Sequence, residues 1–316
     1  MLTGSDIPEL VDCVDANSIR VNAPTSILFL CGGPIDVKVD PAPSLRDAFA
    51  RKQDKDPFKK YRFLVAEELN AFFPKGTYTD ILSFENDIAQ ISDLILLFSE
   101  SYGSAAELGA FAMVEEISRR MLVVLDDKNY KIDSFITLGP IRLLTNVYGE
   151  QALCILNLAD LKLENIRNVS SLDVLAFTEV MQIAIKTRIG SYHEHSTFDP
   201  DRSGHIIKLS VGLLQHYGAL TLDEIWLHLD AFGVLRTKAQ ITNLLLCAEF
   251  ADWVVRDKRG LTTYFVAKAE KDALHYAFRA DVDKMDRLRW RMDIRQHWKV
   301  SEPDRFKSIT SIVGAD

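Results

Sequence analysis

Asp93-Leu94-Ile95-Leu96-Leu97-Phe98-Ser99-Glu100-Ser101-Tyr102-Gly103-Ser104-Ala105-Ala106-Glu107-Leu108-Gly109-Ala110-Phe111 passes from an unbroken apolar run, through serines and a glycine, into a helix-forming stretch. An apolar run without alternation reads as a strand buried on both faces, the habit of a parallel sheet covered by helices. The pattern recurs on either side. Ser26–Leu30 is apolar and ends in Cys31-Gly32-Gly33-Pro34, Tyr61–Val65 and Met121–Leu125 read as further strands, and Leu153–Leu158 closes or leaves the domain. Ser44 is placed to cap a helix through Phe49, Ile81–Ile91 is helical by spacing, and Ser104 is predicted to open a helix to about Arg120.

Strands of five or six residues alternating with helices predict an α/β fold with a flavodoxin- or Rossmann-like parallel sheet. Right-handed crossovers place the loops after Leu30, Phe98 and Leu125 along one sheet edge, where open α/β sheets bind ligands. Serine and glycine at the start of a helix leave backbone donors facing that edge. Ser99, Ser101, Gly103 and Ser104 are therefore candidate substrate contacts, with Cys31, Gly32 and Gly33 as a possible backbone cradle. Neither GxGxxG nor GxxxxGK[ST] occurs here, so hydride transfer and P-loop hydrolysis are poorly supported. Glu107 has two readings that stay open at this point. Ser104 followed by Glu107 fits a capping box, in which the carboxylate serves only the helix start. The small neighbours Ala105, Ala106, Gly109 and Ala110 leave room for a ligand, which makes Glu107 a candidate for chemistry. In either role, first-turn amides would hold its pKa low.

The ordered stretches Leu30-Cys31-Gly32-Gly33, Ser83-Phe84-Glu85-Asn86, Ser99 to Phe111 and Gly139-Pro140-Ile141-Arg142-Leu143-Leu144 resemble those of retron effector proteins. These are antiphage toxins whose N-terminal domain is similar to nucleoside 2-deoxyribosyltransferases. The resemblance implies that Glu107, in Gly-Ser-x-x-Glu-Leu-Gly, attacks C1′ of a sugar and displaces the base. It further implies N-glycosidase action on a nucleotide, with NAD the first expectation as substrate and no bound cofactor. It also implies control by the retron reverse transcriptase and its multicopy single-stranded DNA/RNA hybrid, with higher-order assembly as a further expectation.

Glycosidic cleavage develops positive charge on the ribose, which a nearby carboxylate stabilises or captures covalently. Glu85 is the preferred second acid, ahead of Asp93, to orient ribose hydroxyls or protonate a leaving base. Asn86 and Arg142 are candidates for sugar, base or phosphate contacts, against plain alternatives as a polar helix residue and a salt-bridging arginine. The competing function is a catalytically silent nucleotide sensor or a winged-helix DNA-binding regulator.

The 316 residues divide into an arm (1–25), the deoxyribosyltransferase-like domain (26–155), connecting helices and linker (156–204), a winged helix-turn-helix domain (205–270) and a basic, aromatic tail (271–316). Val169–Ile189 reads as one helix. His205–Tyr217, a Thr221-capped helix and a third helix opened by Arg236/Thr237 precede a hairpin with a Lys-Arg-Gly tip, the order of a winged helix. Lys238, Gln240, Arg256, Lys258 and Arg259 are its candidate nucleic-acid or partner contacts. Arg287, Arg289, Arg291 and Arg295 interleave with Trp290 and Trp298, a pairing suited to RNA or single-stranded DNA, or alternatively to a helix packed on the winged domain.

A net charge of −8 argues against non-specific nucleic-acid binding by the whole surface. Cys13, Cys31, Cys154 and Cys247 form no CxxC pattern, which points to a reducing cytoplasm. The N-terminus has no signal-peptide pattern, and the apolar runs are too short to span a membrane. His193 and His195 flank Glu194 at a spacing that favours no metal.

Overall fold

The structure is a computed structural model, and it describes residues 7–191, 197–268, 271–283 and 285–314. The chain packs as two compact units, Ser26–Glu68 with Ser92–Glu194, and Met1–Thr25 with Leu69–Ile91 and His195–Asp316. His193 and His195 lie outside the described residues.

The first unit is built on five strands, β1 (Ser26–Cys31), β2 (Tyr61–Val65), β3 (Leu94–Phe98), β4 (Met121–Asp126) and β5 (Leu153–Leu156). They pair in the order β2-β1-β3-β4-β5, and every pair is parallel. This is the flavodoxin-like order, whose topological switch point falls between β1 and β3. Every residue of β3 is buried, and Leu28, Leu30, Leu96, Phe98, Leu122 and Val124 share one core with Phe49, Phe58 and Phe63. The absence of alternation in the sequence thus has its expected cause.

Ser44 caps α1 (Leu45–Ala50), its side chain accepting from the Asp47 amide. The helix expected from Ser104 to Arg120 is instead α3 (Tyr102–Ala112), followed by a separate turn at Glu115–Ser118. Ser101, not Ser104, is its N-cap. Likewise the long helix expected from Val169 begins only at Val174, where Asp173 accepts from the Ala176 amide, and runs to Gly190 as α4. Gly139-Pro140-Ile141 lies in a wide helical turn, Thr137–Ile141, that leads into the helix Arg142–Tyr148.

The second unit contains α2 (Ile81–Ile91), α5 (Ser203–Tyr217), α6 (Leu222–Ala231) and α7 (Lys238–Phe250). Its sheet comprises β6 (Ala219–Leu220), β7 (Val254–Arg259) and β8 (Thr262–Ala267), in the order β6-β8-β7 and antiparallel. The succession α5-β6-α6-α7-β7-β8 is that of a winged helix. β6, at two residues, is too short to leave a periodicity in the sequence. Thr221 and Thr237 cap α6 and α7 through capping boxes with Glu224 and Gln240. Helix α2 packs on α5 and α7. Arg20–Val21 of the N-terminal arm pairs antiparallel with Leu274–His275. The basic tail folds into α8 (Arg287–Ser301) and α9 (Pro303–Val313), which pack on each other. No described helix is long and apolar enough to cross a membrane.

Candidate functional site

The loops after β1, β3 and β4 share the carboxyl edge of the sheet, as parallel pairing requires. The turn after β3 is fixed by reciprocal serine contacts. Ser101 Oγ accepts from the Ser104 amide at 3.1 Å, and Ser104 Oγ accepts from the amides of Ser101 at 3.0 Å and Glu100 at 3.2 Å. The capping box is therefore Ser101/Ser104, and Glu107 sits a full turn further along α3. Glu107 takes no part in the cap.

Freed from capping, Glu107 has an unusual environment. Its Oε2 is buried without a hydrogen-bond partner. Burial pushes its pKa up, the Arg46 guanidinium draws it down, and Glu67 adds to the rise. The low pKa expected from first-turn amides is therefore overturned, because those amides are used by the serines. Arg46 is 1 % exposed, donates to the Leu30 carbonyl at 3.2 Å, forms an ion pair with Glu67, and keeps its Nε unpaired. Glu107, Arg46 and Glu67 come from the segments after β3, β1 and β2. They therefore mark the switch-point side of the sheet edge.

Glu100 closes the neighbouring backbone. Its Oε1 accepts from the amides of Gly33 at 3.0 Å and Arg46 at 3.1 Å, and its Oε2 from that of Leu45 at 2.8 Å. Burial raises its pKa, and the three amides counter that rise. The anion position at the start of α1 is thus filled by the protein itself. The glycines serve this closure. A Cβ on Gly33 would meet Glu100 Oε1 at 2.8 Å, and one on Gly32 (φ +150°) would meet Phe98 Cβ at 2.8 Å. The Gly33 amide is spent on Glu100, and Cys31 is buried in β1, so neither serves the open cradle expected of them.

On the other side of the Ser99–Tyr102 turn lies a cavity of about 260 Å³ between the loops after β3 and β4. Ser99, Ser101, Tyr102 and Ala105 line it, with Asn129, Thr137 and Arg167 opposite. Ser99 also donates its amide to Val124, extending the β3–β4 pairing to the rim. Gly103 is exposed beside it, and Ser104 is buried beneath the turn. Neither Glu107 nor Arg46 is among the residues lining this cavity.

The remaining sequence candidates are distributed differently. Asp93 accepts from the Ile27 amide at 2.6 Å, which places it at the amino end of the strands, away from the loops. Glu85 (6 % exposed) and Asn86 ride on α2, within the winged-helix unit. Asp87, also on α2, accepts from the Tyr78 hydroxyl at 2.8 Å, an internal role. Arg142 is exposed and forms no ion pair among the described residues. No group of three or more metal-ligating side chains gathers among the described residues.

Most basic candidates of the winged unit are already engaged. Lys238 pairs with Asp223 at 2.7 Å, Arg256 with Glu249 at 2.5 Å, and Arg259 with Asp257 at 2.7 Å. The Gln240 side-chain oxygen accepts from the Thr237 amide. Lys258 and Arg289 are exposed without an ion pair among the described residues. Arg287 stacks on Tyr276 and donates to its carbonyl, Arg291 pairs with Asp272 at 2.9 Å, and Arg295 lies on the outer side of α8. Trp290 and Trp298 are 3 % and 1 % exposed, so neither ring is available to stack on a base.

The residues that sequence reasoning missed are Arg46, Glu67, Glu100 and Arg167. A signal existed for the first three. Each is a charged residue within a few positions of a strand's carboxyl end or a helix start. Only the sheet order reveals that they converge.

A family model described as STM3845 retron effector protein matches residues 42–256, more than half of the chain. The Escherichia coli protein "Retron Ec86 putative ribosyltransferase/DNA-binding protein" is 36 % identical over 126 residues, 40 % of this chain and 39 % of that protein. "Retron Ec73 putative ribosyltransferase/DNA-binding protein", also from Escherichia coli, is 36 % identical over 66 residues, 21 % of each chain. The matches thus span about two fifths and one fifth of these curated relatives.

Proposed function

Since the chain belongs to the STM3845 retron effector protein family, we propose that its sheet unit is a ribosyltransferase-like glycosidase and that the protein is the toxin of a retron defence system. The relatives' names carry both a ribosyltransferase and a DNA-binding description, and the two units of this chain match that division of labour. The proposed substrate is a nucleotide, with NAD first. The observation that carries the reading is the buried, unpartnered Oε2 of Glu107 beside Arg46 at the switch-point side of the sheet edge.

In the proposed reaction the C1′–N bond lengthens and positive charge grows on the ribose. Glu107, ionised under the influence of Arg46, stabilises that charge or forms a bond to C1′. Water then supplies the hydroxyl that replaces the base, and its proton is released. Nicotinamide in NAD is already cationic, so it departs as a neutral base without a general acid. A substrate with an uncharged base would need a proton donor. Arg142, exposed on the sheet unit, is the proposed phosphate contact.

The winged unit is proposed to address the toxin to the reverse transcriptase and its hybrid nucleic acid, with Lys258 and Arg289 as the cations available to a phosphate. The deciding experiment mixes the purified chain with NAD and with common nucleotides, in the presence and absence of that complex, and measures free base. Release that disappears in Glu107→Gln is the expected result. Tight nucleotide binding without release under either condition would establish the silent-sensor reading instead.

A further inference from the structure

Helix α8 buries Trp290, Ile294 and Trp298 and turns Leu288, Met292, Arg295 and Lys299 outward. Leu288 is 72 % and Met292 65 % exposed, an apolar cost that a soluble surface usually avoids. Together with Phe306 and Ile309 of α9 they line a groove of about 600 Å³. Arg291, Arg295 and Lys299 lie along it, and no Asp or Glu is among its lining residues. The Arg291 charge is shared with Asp272, whereas Lys299 makes no ion pair among the described residues.

We propose that the α8–α9 groove is a docking site for an amphipathic helix of a protein partner, one that carries large apolar side chains on one face and acidic side chains along its border. The shape suits this occupant. The stretch of α8 from Leu288 to Lys299 makes a wall roughly 18 Å long, enough for about three turns of a second helix. Exposed Met and Leu adapt to apolar anchors spaced i, i+3/i+4 and i+7, and the cations pair with carboxylates at the border. A single-stranded nucleic acid fits less well. The rings that would stack on its bases, Trp290 and Trp298, are inside the unit, and the apolar side chains Leu288, Met292 and Ile309 offer no hydrogen bond. This inference stands independently of the glycosidase reading.

The test is selection of helical peptides from a displayed library against the full chain, after which each enriched peptide is measured on the double variant Met292→Ser/Lys299→Glu. Both positions are exposed, and an unchanged melting temperature verifies that the variant is folded. The expected peptides combine Asp or Glu with Leu, Phe or Trp at helical spacing, and bind the variant at least tenfold more weakly. Three results would overturn the proposal. One is that enriched peptides are basic or non-amphipathic, or bind the variant equally well. Another is a labelled single-stranded oligonucleotide whose binding the variant abolishes while no acidic peptide is enriched. The third is self-association of the chain, seen by sedimentation, that the variant abolishes, which would assign the groove to a second copy.

Discussion

Replacing Glu100 by alanine removes the single acceptor of three backbone amides, those of Gly33, Leu45 and Arg46. A net intramolecular hydrogen bond is worth about 1 kcal/mol, so three amount to about 3 kcal/mol; complete desolvation of the orphaned donors would raise this, and entering water would lower it. With a urea m-value of about 2 kcal/mol/M, the unfolding midpoint of the sheet unit should fall by about 1.5 M. All four tryptophans, Trp226, Trp253, Trp290 and Trp298, lie in the winged-helix unit, so tryptophan fluorescence would miss the change. Far-UV circular dichroism and amide exchange at Leu45 and Arg46 read it directly. Glu100→Gln keeps one acceptor oxygen and should cost roughly half as much. The pH dependence adds a signed check. The folded-state pKa of Glu100 is raised, chiefly by burial, so its titration favours the fold fully below the ordinary carboxylate range and less as pH rises through the folded value. The wild-type advantage over Glu100→Gln should therefore shrink from pH 4 upward. A Glu100→Ala midpoint within about 0.25 M of wild type, with Leu45 and Arg46 amides still protected, would refute the assigned role.

Four further outcomes follow from the same geometry. Glu107→Gln should reduce base release by about 10³-fold or more while leaving the unfolding midpoint unchanged or higher, because no hydrogen bond to Oε2 is lost; parallel turnover and urea measurements check this. Glu107 has a raised pKa to which Glu67 contributes, so activity should rise with pH above the usual carboxylate range, and Glu67→Gln should move that limb to lower pH in a pH–rate profile. Gly33→Ala should destabilise the sheet unit by about 1–3 kcal/mol, read by urea unfolding, because the added methyl overlaps Glu100 and Ser44. His216 is buried against Tyr217 and Trp290 with both ring nitrogens unpaired, and burial lowers its pKa to about 3. Its contribution to stability is present above pH 6.5 and is lost as pH falls toward 3, so His216→Phe should flatten the acid loss of stability measured between pH 7 and pH 4.5.

Much of the architecture was legible from local pattern. The strands around Leu28, Phe63, Leu96 and Val123 declare themselves because a residue buried on both faces must be apolar at every position. The caps Ser44, Thr221 and Thr237 were legible because a side-chain oxygen before a helix has one obvious backbone use. The winged unit announced itself by element order alone. Other features were not local. Ser101 and Ser104 are equally good caps on paper, and only the turn geometry after β3 gives the position to Ser101. That choice moved Glu107 from a capped carboxylate with a lowered pKa to a buried one with a raised pKa.

The sequence by itself therefore determined the parallel α/β sheet and the winged helix, since each follows from periodicity and turn chemistry within a short window. Tertiary structure alone decided which charges meet. Arg46, Glu67 and Glu107 are separated by 21 and 40 positions along the chain and come together only through the strand order β2-β1-β3. The same holds for Trp290 and Trp298, whose burial inside the unit removes the expected stacking surface. Electrostatic coupling and burial depend on distance in space, and a linear pattern records distance only along the chain.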